Sequence, residues 1–484
     1  MMERDFSELL AAVRAGGREL AADSRKVQPG DIFVAVPGAS EDGARYIPDA
    51  VAAGAGVVVC HPDAVANSGD GASCRFIVHE EPREALWRLA AARYGTEDSP
   101  LRVVGITGTN GKTTTAALLE HLFTAAGHRV GVLGTVTYRW PGHSEAAPLT
   151  TPDPLSLHAM LARMAKAGVD VVFMEVSSHA LAQQRVSGVP FAGAVFTNLT
   201  QDHLDFHPDM ESYFKAKARL FLELPRADKA MAINADDPWG RRLLELCPGA
   251  LSYGLGRGVP GRRHLWGELL SSGTAGVHLK MHADNAEWEL RSPLVGAFNA
   301  ANLLAAQAMA LELGLPPSAM QALGTFTGVS GRLERVDNPR GLHVFVDYAH
   351  TPDALVNVLT ALRGAGFARI VTVFGCGGNR DRTKRPLMGE AVARHADVAV
   401  LTSDNPRNEE PEAILADVLP GLASAREVVV EADRRAATEK ALAMLGREDA
   451  LLIAGKGHED YQIIKGVKHH YSDQEVVREL LRCE

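Results

Sequence analysis

The run Gly105-Ile-Thr-Gly-Thr-Asn-Gly-Lys-Thr-Thr-Thr115 is where this sequence is richest in chemistry. It follows an apolar stretch, Leu101–Val104, that reads as a buried strand. It leads into an apolar-periodic stretch, Ala116–Phe123, that reads as a helix. A glycine-rich turn between strand and helix aims backbone N–H groups at an anion, and the helix N-terminus and Lys112 add positive charge. Gly108, Thr109, Asn110, Gly111, Lys112, Thr113 and Thr114 are therefore the expected cradle for a nucleoside triphosphate such as ATP. The Thr113 hydroxyl is suited to a magnesium ion on the phosphates. The leading glycine of the common phosphate loop is here Ile106, and Gly105 and Gly108 flank it instead. The alternative is a chance Gly-Lys-Thr in a surface loop, and the register of strand, turn and helix speaks against it.

Other polar clusters end other apolar runs. Glu175-Val-Ser-Ser-His179 ends one strand, and Asn198-Leu-Thr-Gln-Asp-His-Leu-Asp-Phe-His207 follows the next. Both would project from the same sheet edge as the phosphate loop, where a carboxylate and an imidazole, Glu175 and His203, are natural magnesium ligands or their supporting partners. In the last third the clusters are Asp347-Tyr-Ala-His350, Gly375-Cys-Gly-Gly-Asn-Arg380, Ser403-Asp-Asn-Pro-Arg407 and Gly455-Lys-Gly-His-Glu459. In open α/β sheets, ligands sit beyond the carboxyl ends of the strands, which is where these clusters fall.

The elements that must hold these groups alternate along the chain. Residues 1–98 form a first unit with short strands such as Asp31–Val36 and Ala55–Cys60. Residues 99–330 open with the phosphate loop, and strands recur at Arg129–Leu133, Val169–Val176, Gly193–Asn198 and Lys229–Asn234. Between about 250 and 295 shorter alternating runs, such as Gly276–Met281, predict a small antiparallel insertion. Residues 331–484 carry runs at Leu342–Asp347, Ile370–Phe374, Val398–Leu401, Val428–Val430 and Ala450–Ile453. Apolar strands alternating with amphipathic helices predict α/β architecture with parallel sheets. The expected plan is an N-terminal α/β domain, a central P-loop parallel-sheet domain with a small β insertion, and a C-terminal Rossmann-like domain.

A chain of 484 residues is too long for one core. Hydrophobic residues at 46% and charged residues at 23% are the profile of a globular protein, and a net charge of −9 argues against a general nucleic-acid binder. Cys60, Cys74, Cys247, Cys376 and Cys483 lack metal-ligand or disulfide spacing, which fits a reducing cytoplasm. The first residues hold no secretory signal pattern, and no apolar segment approaches membrane-spanning length. A cytoplasmic monomer with no nucleic-acid partner and no membrane insertion is expected.

Taken together these residues resemble the Mur ligase family, the ATP-dependent amide-forming enzymes of peptidoglycan precursor synthesis. The motifs are Gly108–Thr114, the Glu175 and His203 clusters, Gly296-Ala-Phe-Asn299 with Asn302, Gly331-Arg-Leu-Glu334 and Asp347-Tyr-Ala-His350. The resemblance covers essentially the whole chain. It implies that Lys112, Glu175, His203 and Lys217 are catalytic, with Lys217, in Tyr213-Phe-Lys-Ala-Lys-Ala-Arg219, carbamylated on its side chain. Thr113, Glu175, His203 and carbamylated Lys217 would then hold two magnesium ions. It also implies that Asn299 and Asn302 approach the adenine, and that Arg332 and Asp347 close over the nucleotide.

Within the family, Asp23-Ser-Arg25 and Gly30-Asp-Ile-Phe-Val-Ala35 are similar to the uridine-nucleotide domain of the branch that extends UDP-MurNAc-L-Ala-D-Glu. The resemblance makes Ser24 the best candidate there for contacting the UDP moiety, with Ala39, Ser40 and Glu41 in the adjoining loop. Ala22 and Ala39–Glu41 depart from the side chains often seen there. Thr150, Thr151, Ser177, Gln183 and Arg185 match positions that contact the sugar–peptide. Asp404, Asn405, Pro406 and Arg407 resemble the signature of ligases that add meso-diaminopimelate, whose distal carboxylate suits the guanidinium forks of Arg407 and Arg380. Glu459 and Asp404 can take the distal ammonium, with Gly455 allowing close backbone approach.

The implied reaction has two steps. The D-Glu γ-carboxylate attacks the ATP γ-phosphorus to give an acyl phosphate, and the diaminopimelate amine then displaces phosphate. Closure of the third domain about a hinge near Ser330-Gly331 is expected. The readings left open are the same reaction with L-lysine or another diamino acid, a folylpolyglutamate synthase-like ligase, and a non-catalytic nucleotide sensor.

Overall fold

The computed structural model describes residues 2–38, 42–67, 74–204, 206–223, 225–258, 261–283 and 286–482. The candidate UDP-loop residues Ala39, Ser40 and Glu41 and the thiol of Cys483 lie outside these. The chain divides into two compact units, Met1–Trp266 with Leu304–Ala319, and Gly267–Leu303 with Met320–Glu484.

The first unit opens with a four-stranded parallel sheet, Leu20–Ala21, Ile32–Val34, Val57–Cys60 and Arg75–Val78, in sequence order. Alternate residues of a strand face opposite sides, and here each side has its own core. Ile32, Val34, Val57 and Val59 pack with Phe6, Leu9 and Leu89. Phe33 and Val58 pack with Ile47 and Ala50.

The main sheet of this unit sets the phosphate loop. Its order runs Leu251–Gly254, Pro225–Asn234, Phe191–Phe196, Arg102–Thr107, Val171–Glu175, Val130–Leu133, Thr137–Trp140, His143–Ala146. The first six are parallel and the last two antiparallel. Arg102–Thr107 is flanked by Phe191–Phe196 and Val171–Glu175, so the loop after it opens between two neighbouring strand ends. The strands Val171–Glu175 and Val130–Leu133 are buried at every residue, which explains their unbroken apolar runs.

The region expected to be antiparallel from about 250 is so only in part. Leu251–Gly254 extends the parallel sheet, and His264–Gly273 begins parallel beside it. Its four residues are all buried, a setting that favours parallel strands. True antiparallel pairing belongs to the second unit, where Gly276–Ala283 and Ala286–Ser292 form a hairpin with Leu279 opposite Leu290.

The second unit's larger sheet has the order Glu334–Arg335, His343–Asp347, Ala450–Ala454, Ile370–Phe374, Val398–Leu401, Val428–Val430. Five strands are parallel and Glu334–Arg335 is antiparallel. Phe345, Phe374, Leu401 and Leu452 pack under the helices Pro352–Gly364, Lys384–His395 and Pro411–Val418. Val344, Val346, Val373 and Ile453 pack under Arg434–Ala443 and Asp473–Arg482. This is the doubly wound architecture expected of the last third. Among the described residues no helix is long and apolar enough to cross a membrane.

Candidate active site

In the first unit the phosphate loop is fastened at both ends. Thr109 N donates to Asn198 O at 2.9 Å, and Asn110 N to Asn198 Oδ1 at 2.9 Å. The Thr197 hydroxyl donates to Asn110 O at 2.6 Å. Gly108 (φ 150°) is required by close approach, since a Cβ there would lie 1.9 Å from Thr197 Oγ1. Lys112 begins the helix Lys112–Ala125, and its Nζ bonds Gly108 O at 3.0 Å and Thr109 O at 2.8 Å. Thr114 follows in the same first turn.

Glu175, almost fully buried at the end of its strand, has its carboxylate gripped by groups from two segments. Thr113 Oγ1 donates to Oε2 at 3.0 Å, Thr135 Oγ1 to the same oxygen at 3.0 Å, and Thr135 N to Oε1 at 2.9 Å. Thr135 in turn meets the Thr150 hydroxyl at 3.2 Å. Thr151 Oγ1 donates to Glu175 O at 2.9 Å and accepts from Ser177 N at 3.0 Å, and Ser177 caps the short helix Ser178–Ala182. Arg185 donates to Gln183 Oε1 at 2.9 and 2.6 Å and reaches Thr151 O at 3.4 Å. Thr113, Glu175, Thr150, Thr151, Ser177, Gln183 and Arg185 thus form one continuous polar network. Thr135, which the sequence reading missed, ties Thr150 to Glu175. Its signal was a threonine directly after the strand Val130–Leu133 and Gly134.

Lys217 lies on the helix Met210–Leu222 and is buried at 1% exposure. Its Nζ donates to Gly108 O at 2.9 Å and sits 4.7 Å from the centre of the Tyr213 ring. Burial, reinforced by the charge of Lys112, pushes its ammonium well below the ordinary lysine range. His203 (φ 55°) stacks edge-on to His179 with ring centres 4.8 Å apart, and its Nε2 is 3.4 Å from Asp202 Oδ2. Burial, helped by His179, Lys217 and Lys112 and opposed by Asp202, lowers His203 to about 4. At neutral pH it is an uncharged imidazole. Among the described residues no three His, Cys, Asp or Glu side chains cluster as a metal site. A hard cation here would draw on the Thr113 hydroxyl and the Glu175 carboxylate, oxygen donors of the kind magnesium takes.

Ser24 stands in a one-turn helix capped by Asp23, whose carboxylate pairs with Arg25 at 2.8 Å, while Ala22 is exposed beside it.

The second unit carries the remaining candidates. Asn299 and Asn302 are buried in the first turns of the helix Ala297–Glu312, with Asn302 Nδ2 donating to Asn299 Oδ1 at 3.1 Å and Asn299 Nδ2 to Val295 O at 2.8 Å. Asp347 accepts from Leu333 N at 2.6 Å and Ala349 N at 2.8 Å, and its burial raises its pKa while Arg332 opposes. Arg332 lies 5.0 Å over the Tyr348 ring. At the expected hinge, Gly331 is closely packed. Gly331 N donates to Glu334 at 2.8 Å, and a Cβ on Gly331 would lie 2.1 Å from His458 N, so its backbone freedom serves tight packing within this unit.

Asp404, Asn405, Pro406 and Arg407 follow the strand Val398–Leu401, and Gly455 to Glu459 follow Ala450–Ala454. Half-buried Arg407 (φ 53°) donates from Nη1 to Gly378 O at 2.8 Å and reaches Asn405 O at 3.5 Å. Among the described residues it has no carboxylate partner. Two backbone bonds, Arg407 N to Ile463 O and Lys465 N to Arg407 O, tie it to the hairpin Tyr461–Ile464/Val467–His470. Asn405 Nδ2 donates to Glu459 Oε2 at 2.9 Å, and burial raises the Glu459 pKa. Arg380 is exposed on the neighbouring loop. Beneath that loop Arg385, 1% exposed, forks onto Glu409 at 2.8 and 2.9 Å and reaches Asp417 at 2.8 Å.

Three family models cover most of the chain: Mur ligase family, catalytic domain, at residues 18–94; Mur ligase middle domain at 106–310; and Mur ligase, glutamate ligase domain, at 331–457. The chain belongs to the Mur ligase family. It is 55% identical over 466 residues to UDP-N-acetylmuramoyl-L-alanyl-D-glutamate--2,6-diaminopimelate ligase of Lawsonia intracellularis, covering 96% of each chain. A solved structure of a ligase with the same name is 33% identical, with a TM-score of 0.68, over 96% of this chain and 94% of that one. The MurF ligase of Thermotoga maritima in complex with ADP is 19% identical, with a TM-score of 0.63, over 96% of this chain and 97% of that one. At that identity the likeness is one of fold. As a Mur ligase the chain is an enzyme.

Proposed function

We propose that this Mur ligase joins meso-diaminopimelate to UDP-N-acetylmuramoyl-L-alanyl-D-glutamate in peptidoglycan precursor synthesis, using ATP. The observation that carries the choice of amino acid is Arg407, a half-buried guanidinium bonded, among the described residues, only to carbonyl oxygens, with Glu459 tied to the same tetrapeptide through Asn405. A diamino acid with a distal carboxylate offers Arg407 a forked partner and Glu459 an ammonium. L-lysine would leave the guanidinium unpaired, and polar sites of this kind reject such analogues by up to about 10⁴-fold. The 55% identity to a ligase of that name supports the same reading.

In the first step the amides of residues 108–113 and the helix N-terminus at Lys112 hold the ATP phosphates, and the Lys112 ammonium offsets their charge. The substrate's D-Glu γ-carboxylate oxygen attacks the γ-phosphorus and ADP departs, leaving an acyl phosphate. Thr151, Ser177, Gln183 and Arg185 orient the sugar–peptide so that this carboxylate is aimed rather than free. Thr113, Glu175, His203 and a carbamylated Lys217 would hold the magnesium ions, which when bound supply charge neutralisation between two anionic reactants. Lys217 is suited to carbamylation because its buried amine is held below its ordinary range, so that it keeps a lone pair for carbon dioxide. The amine of diaminopimelate, its distal end held by Arg407 and Glu459, then attacks the acyl carbon and inorganic phosphate leaves. Asn299, Asn302, Arg332 and Asp347 serve the nucleotide, and Ser24 the uridine end.

An ATP-dependent assay with the UDP-MurNAc-dipeptide, offering meso-diaminopimelate, L-lysine and L-ornithine separately, tests the reading. The expected product carries diaminopimelate, and labelled oxygen from the D-Glu carboxylate appears in the released phosphate. Transfer of lysine in preference, or phosphate without that label, would refute it.

A further inference from the structure

Among the buried charges of the second unit that this function leaves unused, a lysine stands beside the amino-acid residues. Lys456, between Gly455 and Gly457, has a side chain with 0% exposure. Its Nζ is 3.2 Å from Asp404 Oδ1, 3.3 Å from Asn405 Oδ1 and 2.8 Å from Tyr461 O. Two hydrogen-bond acceptors and a carboxylate at ion-pair distance around one amine are the setting of an ammonium. Burial pushes Lys456 below its ordinary range, and Asp404 is the strongest influence holding it up. A lysine kept for solubility would stand in water, whereas this one costs desolvation that only its partners offset.

Those partners are the amino-acid recognition residues themselves. Asn405 Oδ1 receives a second bond from Ile463 N at 2.9 Å. With two donors converging on Oδ1, the amide has one orientation, and Nδ2 is left to donate to Glu459 Oε2 at 2.9 Å. The other Glu459 oxygen has the Tyr461 hydroxyl at 3.5 Å. We propose that Lys456 is a positioning residue for the incoming amino acid, cancelling the charge of Asp404 and fixing Asn405 so that Glu459 is held ready for the ligand's distal ammonium. This rests on the reading of Arg407 and Glu459 as diaminopimelate contacts.

Charge counting gives the inference a specific consequence. Arg407 and Lys456 balance Asp404 and Glu459, so the cluster is neutral, as is the distal end of diaminopimelate with one ammonium and one carboxylate. Without Lys456 the cluster carries a net negative charge. It then suits L-lysine, whose distal end is an ammonium alone, better than before.

The test is steady-state kinetics on the full chain. Lys456→Met should raise KM for meso-diaminopimelate about tenfold and leave KM for ATP within about twofold. The preference for diaminopimelate over L-lysine in kcat/KM should shrink by about tenfold. Adding Asp404→Asn removes the uncompensated carboxylate and should recover part of the loss, to about threefold above wild type. An unchanged diaminopimelate KM, an equal rise in ATP KM, or a double variant no better than the single would each overturn the proposal. Should Lys456→Met not fold, the double variant, which buries no unpaired charge, carries the test alone, and a wild-type diaminopimelate KM in it would overturn the proposal. A wild-type chain that never transfers diaminopimelate would instead sink the functional reading, and this inference with it.

Discussion

Lys112 and Arg407 answer to the same physics, each a cation resting on carbonyl oxygens. The Lys112 amine rests on two carbonyls of its own loop, so its removal takes away a charge and two ties at once. Lys112→Ala is expected to reduce ATP-dependent phosphate release by at least about 10³-fold while circular dichroism stays native. Turnover near wild type would remove the lysine from the mechanism. Arg407 is held in a left-handed conformation by two backbone bonds to the neighbouring hairpin, so Arg407→Ala should keep the loop and lose the fork. Its diaminopimelate kcat/KM should fall by about 10² or more, with ATP KM little changed. Equal losses for both substrates would mean that the arginine shapes the domain and not the specificity.

At the scale of elements, the helix Pro154–Lys166 is pinned by a buried histidine that does no chemistry. His158 Nδ1 meets the hydroxyl of Thr96, just past the helix Pro82–Tyr94, and burial lowers its pKa from 6.5 to about 4. The sign follows from proton counting. Between pH 6.5 and 4 the unfolded chain binds a proton that the folded chain refuses, so stability is full above 6.5 and drains away as pH falls. A shift of that size is worth on the order of 3 kcal/mol. Denaturant titrations should show the decline, and His158→Gln should flatten part of it. Only part is expected, because His203 and His458, also lowered to about 4 by burial, slope the same way. An unaltered slope in His158→Gln would mean that the histidine is protonated in the fold.

For the whole molecule, the proposed roles assign each ligand its own segments of the chain. ADP alone should slow amide exchange at residues 108–113, and meso-diaminopimelate alone at 404–407 and 459–464. Each ligand at a hundred times its Kd should add about 2.7 kcal/mol to the stability of the form that binds it. Diaminopimelate protecting the phosphate loop and leaving 404–407 untouched would contradict the proposed division of labour. A chain of two such units need not unfold in one step, so exchange is a better readout here than a single melting temperature.

Much of this was readable before any fold was known, because the signals are local. Gly108 to Thr114 announce a strand–turn–helix by glycine placement and apolar period alone. The runs at Ile370–Phe374, Val398–Leu401 and Val428–Val430 match the observed strands residue for residue. The parallel continuation at Leu251–Gly254 was not readable, since which strand lies beside another is settled by packing and not by the strand's own residues. Nor was the burial of Lys456: its partner Asn405 is 51 positions away, and a lysine between glycines reads as a solvated loop. The order of residues determined which groups the chain can offer to phosphate, metal and amino acid. Folding decided which of them are buried and paired, because desolvation and charge compensation exist only once distant segments meet.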